Sequence, residues 1–152
     1  HRAMPRHFTV SEVLREAFAL ATPHDPGLPR DMDGRAAGLL ELVGLPAQPD
    51  FLNRPTAALS GGEAQRLVIA RALAAEPDYL IAAEPTAALD MLARATVLGL
   101  LGRLRDERGL TIVLVTHEPD VAGCIADAAM YLPMSACAKD GRVAGRAFLK
   151  AG

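Results

Sequence analysis

Apolar residues fall along this chain in two rhythms. Val10, Val13, Leu14, Ala17 and Phe18 recur at steps of three and four, which predicts a helix from Thr9 to about Leu20. Thr9 and Glu12 are spaced as a capping box at its start. Thr22 to Arg30 holds Pro23, Pro26, Gly27 and Pro29 and predicts an exposed loop. A second helix is expected over Asp33 to Val43, stopped by Gly44 with Pro46 beyond. A Pro-containing stretch to Pro55 then leads to Leu59. From there Leu67, Ile69, Ala70, Leu73 and Ala74 set a third helical stripe, opened by a second capping box at Ser60 and Glu63 and broken by Pro77 and Asp78.

The rhythm then changes. Tyr79 to Ala83 is an unbroken apolar run suited to a strand buried on both faces. Met91 to Arg108 reads as a long helix ended by Gly109, and Thr111 to Thr116 as another buried parallel strand. Pro119 is well placed at a helix N-terminus, with Asp120 to Ala126 continuing it. Ala128 to Leu132 predicts a strand, and Asp140-Gly141 a turn before a last one from Arg142 to Phe148. Pro133 to Lys139 lengthens the connection between them and carries no chemical reading.

Composition narrows the picture. A chain of 152 residues supports one core, and 51% hydrophobic with 22% charged residues is a globular balance. The net charge of -2 gives no broad electrostatic reason to bind nucleic acid. No apolar run approaches membrane-spanning length and no signal-peptide pattern opens the chain, so membrane association is expected through a partner. Cys124 and Cys137 lack metal-ligand or redox spacing and read as reduced thiols. Lys139 and Lys150 are the only lysines, and neither is followed by Ser or Thr, so there is no phosphate-binding P-loop.

Candidate chemistry gathers between Leu59 and His117. Gly61 and Gly62 leave backbone N–H groups uncovered at a helix start, where the dipole attracts phosphate. By spacing alone, Ser60 with these glycines is equally a plain N-cap. Glu84 follows a strand at its C-terminal end, where open α/β sheets place ligand chemistry. His117 ends the next strand. Asp90 stands as N-cap of the helix from Met91.

LSGGE at Leu59–Glu63, QRLVIARAL at Gln65–Leu73, EPTAALD at Glu84–Asp90 and VTH at Val115–His117, in this order, resemble the nucleotide-binding domain of the ABC transporters. The resemblance runs from about Pro5 to Val143 and covers the second half of that domain. It implies an α/β fold of the P-loop NTPase kind, a parallel sheet flanked by helices, with part of a helical subdomain. Residues 1–58 are expected to be the helical-subdomain segment and 59–152 the C-terminal part of the ATPase core, one incomplete domain whose N-terminal half, with the P-loop, lies outside this chain. The Pro5-Arg6…Thr9-Val10 and ELVGLP (Glu41–Pro46) phrases look most like the peptide/nickel importer branch.

The resemblance also implies roles. Ser60, Gly61, Gly62 and Glu63 form the signature that meets ATP held by the opposite domain of a head-to-tail dimer. Glu84 is the catalytic carboxylate that positions the attacking water, and His117 the switch that senses the γ-phosphate. Asp90 belongs to the loop that communicates across the dimer. Ala83 departs from the pattern: the family has an Asp there to hold Mg²⁺, and Ala has no ligand oxygen. The implied cofactors are ATP and Mg²⁺, both needing the N-terminal half, so the chain is expected to be an ATPase by family but inactive alone. The implied partners are a second ATPase domain and transmembrane permease subunits, with no nucleic acid, at the cytoplasmic face of the membrane. Two alternatives stay open. Ala83 favours a catalytically impaired regulatory partner; a non-transport ABC ATPase acting on DNA or ribosomes would want a basic stripe or coiled-coil insertion that the chain lacks.

Overall fold

A computed structural model describes residues 4–21, 32–131 and 146–149. The elements are α1 (Val10–Ala21), α2 (Met32–Leu42), α3 (Pro49–Leu52), a 3₁₀ turn (Thr56–Ala58), α4 (Gly61–Leu73), β1 (Tyr79–Ala83), α5 (Met91–Arg108), β2 (Thr111–Val115), α6 (Pro119–Ile125), β3 (Ala128–Tyr131) and β4 (Arg146–Leu149). The predicted loop at 22–30, the lengthened connection at 133–139 and the Asp140-Gly141 turn lie outside the described residues.

Local chemistry sets the helix ends. At α1 the Thr9 N–H donates to Glu12 Oε2 at 2.7 Å, and the Glu12 N–H to Thr9 Oγ1 at 3.3 Å. The ELVGLP phrase is a helix stop with a mechanism. Gly44 takes φ +67°, its N–H donates to Glu41 O, and the Leu45 N–H reaches back to Leu40 O at 2.8 Å, the reciprocal pair of a Schellman motif. Leu45 and Leu40 are both buried. Gly109 ends α5 at φ +64°. The stretch before Leu59, read from the sequence only as a connection, contains α3 and the 3₁₀ turn. It is stitched to the start of the chain where Thr56 donates its N–H to Phe8 O and its Oγ1–H to Pro5 O, each at 2.8 Å.

One hydrophobic cluster gathers Val13, Leu14 and Phe18 of α1, Leu40 of α2, Leu67 and Leu73 of α4, and Val97, Leu101 and Leu104 of α5. β1 and β2 pair in parallel, Tyr79 opposite Thr111 through Ala83 opposite Val115, with α5 as the crossover. β3 and β4 form a separate antiparallel pair.

The sheet differs from the expectation of strands buried on both faces. Leu80 joins the core and Ile112 packs against it. Tyr79, Ile81, Val113 and Val115, on the other face, are 69%, 71%, 48% and 53% exposed. A continuous apolar run reports that both faces suit burial; among the described residues, helices cover only one.

Candidate functional site

Two groups of side chains stand at the ends of these elements. The first is a cleft of about 290 Å³ between the starts of α4 and α5, lined by Ser60, Gly61, Gly62, Arg66, Asp90 and Ala93 among others. Ser60 caps α4: its Oγ accepts from the Glu63 N–H at 3.2 Å, and Glu63 Oε2 accepts from the Ser60 N–H at 2.8 Å. That backbone N–H chiefly holds the Glu63 carboxyl below its usual range. Arg54 adds an ion pair to Glu63 at 3.5 Å. Glu63 is therefore engaged in the cap and is not part of the cleft wall. The N–H groups of Gly61 and Gly62, by contrast, take no partner among the described residues. They sit at the positive end of a thirteen-residue helix.

Asp90 faces the same cleft and caps α5, its Oδ1 accepting from the Ala93 N–H at 2.8 Å. Capping and a place in the cleft coexist. Arg66 was not singled out from the sequence as a site residue, although it lies one helical turn after Gly62. Its Nε donates to Gly62 O at 3.2 Å and its Nη1 to Gly44 O at 2.7 Å. It thus bridges the cleft helix to the stop of α2.

The second group lies where β1 and β2 end. The Glu84 N–H donates to Val115 O at 2.8 Å, one further rung of the parallel ladder. Glu84 Oε1 accepts from the His117 N–H at 2.9 Å and stands 2.8 Å from His117 Nδ1. A carboxylate only accepts, so this ring nitrogen carries the proton. Thr116 Oγ1 lies 3.4 Å from the other oxygen, Oε2. The His117 hydrogen bond leads the causes that hold the Glu84 carboxyl below its usual range, and the same bond leads those that raise the imidazole. Sequence reasoning left out Thr116; its position directly before the histidine was the available signal.

The turn from Glu84 to Leu89 is strained. Glu84 and Ala88 adopt φ of +47° and +60°, a left-handed conformation that costs a non-glycine residue roughly 1–2 kcal/mol. Thr86 within it is fully buried, and its Oγ1 has no partner among the described residues. Ala83, the last residue of β1, is exposed beside Glu84 and offers no side-chain oxygen. Among the described residues no three His, Cys, Asp or Glu side chains are grouped to hold a metal ion. The uncovered N–H groups of Gly61 and Gly62 suit a phosphate; the residues present do not suit Mg²⁺. The structure thus joins Ser60, Gly61 and Gly62 with Asp90, and Glu84 with His117, in two separate places. No described helix is long and apolar enough to cross a membrane.

The family model described as ABC transporter matches residues 2–87. A methionine import ATP-binding protein, MetN, of Xanthomonas euvesicatoria pv. vesicatoria is 41% identical over 140 residues, 91% of this chain and 41% of that protein. Its namesake in Brucella abortus is 42% identical over 140 residues, 91% of this chain and 37% of the relative. The chain therefore spans about two fifths of the length of these relatives. Among solved structures, a dimeric ATP-binding cassette, MJ0796, in a post-hydrolysis state bound to ADP and Pi, superposes with a TM-score of 0.69 at 30% identity. The match covers 99% of this chain and 62% of that one. The relatives carry methionine-import names, a different branch from the peptide/nickel importers that the Pro5-Arg6 and ELVGLP phrases suggested, and that branch finds no support.

Proposed function

This chain belongs to the ABC transporter family, and we propose that it is part of the ATP-binding subunit of an importer, coupling ATP binding and hydrolysis to uptake of a solute. The names of its relatives favour methionine or a similar small solute. Residues 1–58 then serve as the helical-subdomain segment and residues 59–152 as the later part of the ATPase core.

The observation that carries the reading is the meeting of Glu84 and His117 at the C-terminal ends of two parallel strands, with the imidazole bonded to the carboxylate at 2.8 Å. A carboxylate held ionised there can orient and polarise an attacking water, while the imidazole, freed from it, donates to a phosphate oxygen. The Gly61 and Gly62 N–H groups would receive a terminal phosphate presented by a second ATPase domain, with Asp90 beside them in the same cleft. The MJ0796 cassette, a protein of like fold, is dimeric and bound to ADP and Pi, which supports a second domain and a phosphate ligand. Permease subunits would bring the assembly to the cytoplasmic face of the membrane.

The chain by itself is proposed to be inactive, because none of its residues forms a P-loop to wrap the phosphates. In the complete protein, Glu84→Gln should lower ATP turnover by roughly a hundredfold or more, the scale of a lost general base, with ATP still bound. Turnover left within twofold would overturn the reading.

A second reading follows from Ala83. Without a carboxylate before Glu84, this subunit could bind nucleotide while its dimer mate hydrolyses it. Vanishing activity in a homodimer, restored by pairing with an acid-bearing mate, would select this reading.

A further inference from the structure

The first turn of α5 touches both groups. Ala93 forms the cleft wall against Gly62, where a Cβ on the glycine would stand 3.0 Å from the alanine methyl. The next residue, Arg94, leaves the cleft and reaches Glu118, Nη1 lying 2.6 Å from Oε2. These side chains are only 37% and 27% exposed, so the pair is partly shielded from solvent. Glu118 is the N-cap residue of α6 and makes no side-chain cap, leaving its carboxylate committed to Arg94.

The pair does not end at Glu118. The Glu118 N–H donates to Thr116 Oγ1 at 3.1 Å, and Thr116 Oγ1 faces Glu84 Oε2 at 3.4 Å. Between them His117 gives its backbone N–H and its Nδ1–H to Glu84 Oε1. Residues 116–118 are a three-residue link between β2 and α6, with the His117 ring 80% exposed. Thr116 and Glu118 are half-buried, and only the histidine between them is open to solvent. The side chains of the link reach Glu84 at one side and Arg94 at the other.

We infer that Arg94 is a positioning residue: its ion pair with Glu118 holds residues 116–118 where Thr116 and His117 meet the Glu84 carboxylate, and ties that meeting to the seat of α5 against Gly62. The geometry stands without any assigned activity; its consequence for turnover rests on the reading of Glu84 and His117 given above. Arg94 contacts neither group of the pair directly, so it acts through Glu118. A nucleotide phosphate drawn into the Gly61–Gly62 cleft would press on the same helical turn that anchors the histidine link.

The test is the titration of the His117 imidazole, followed by NMR in the complete protein. The charged groups around this ring are Glu84 and Glu118, with Arg94 behind Glu118. If Arg94 acted only as a charge, Arg94→Gln would raise the imidazole pKa further, because a cation is removed. If Arg94 positions the link, Arg94→Gln releases His117 from Glu84 and the pKa falls toward the ordinary imidazole value. Arg94→Lys should keep most of the upward displacement. A rise, or no change, in Arg94→Gln overturns the inference. Gly62→Ala, which pushes on Ala93, should also lower the titration; an unchanged curve there overturns the tie to the cleft.

Turnover separates this inference from the functional reading. In the complete protein, Arg94→Gln should lower kcat roughly tenfold with the KM for ATP nearly unchanged, since misplacing a reacting group by about 1 Å costs up to about a hundredfold. A lowered His117 pKa with unaltered kcat sustains Arg94 as the anchor of the link and counts against Glu84 and His117 as the hydrolytic pair.

Discussion

Gly62 meets Ala93 with no room for a methyl group between them, since a Cβ on Gly62 would lie 3.0 Å from the Ala93 Cβ and 3.8 Å from its Cα. The glycines of the α4 start therefore have a packing reason beside any role toward phosphate. They let the beginnings of two helices approach closely at the cleft.

Gly62→Ala is expected to destabilise the fold by about 1 kcal/mol or more, because the opposing atoms belong to a helix and cannot rotate aside. Gly102→Ala offers the contrast. It lies inside α5 with nothing within 4 Å of the added methyl, and should stabilise by about 0.5–1 kcal/mol through backbone entropy. Urea melts of the two variants check this. Equal stability gains would show that the helices relax apart freely at Ala93.

The Glu84–His117 bond predicts a pH window. The raised imidazole contributes stability that is fully present below its ordinary value of 6.5 and is lost as pH rises through the higher folded value. The lowered carboxyl contributes above its ordinary 4.5, and that part is lost as pH falls through the depressed folded value. The bond should be most complete between those ordinary values and weaken on both sides. Removing either partner should move the other toward its ordinary value, as read by NMR of His117 in Glu84→Gln and of the Glu84 carboxyl in His117→Ala, where the backbone N–H of residue 117 still donates to it. The exposed setting makes the effect on global stability small. An imidazole indifferent to Glu84→Gln would contradict the contact.

Much of this was legible in the residues. The capping boxes at Thr9 and Ser60, the stops at Gly44 and Gly109 and the strands before Glu84 and His117 are set by local chemistry, which a sequence carries openly. The family model and the solved cassettes bear out the fold class and the family. Three features were not legible. The run Tyr79 to Ala83 does not say which face is covered, because apolar residues occupy both. The left-handed Glu84 and Ala88 carry no glycine to signal them. Arg94 and Glu118 are twenty-four positions apart, and only the return of the chain through β2 places them together. Within the candidate site, Glu63 illustrates a motif residue whose capping role could be derived from spacing while its absence from the cleft wall could not.

The open face of the β1–β2 sheet predicts association. Tyr79, Ile81, Val113 and Val115 together present a contiguous apolar surface, of the kind that drives proteins to self-associate. The chain on its own should sediment as oligomers at tens of micromolar. Ile81→Lys combined with Val113→Thr should shift it toward monomer, with the helices intact by circular dichroism. A monodisperse parent chain with a sharp cooperative melt would show that this face is covered in another way.

Ala83 poses the remaining question about chemistry. It ends β1 opposite Val115, exposed and next to Glu84, so an aspartate there would incur little desolvation. On the proposed reading, with the complete protein supplying the other contacts to the nucleotide, Glu84 and His117 would address its terminal phosphate, and a metal there would lack a carboxylate from the strand end. Charge neutralisation in the transition state would then be poorer than with an acid at position 83. Ala83→Asp should raise Mg²⁺-dependent turnover by roughly tenfold or more, the scale of a metal's supporting partner. Adding Glu84→Gln to that variant should abolish the gain while leaving ATP binding intact. Steady-state rates against Mg²⁺ concentration for the three forms decide the matter. Equal rates for the natural protein and Ala83→Asp would mean that another group already holds the metal, whereas a gain that survives Glu84→Gln would move the hydrolytic role away from Glu84.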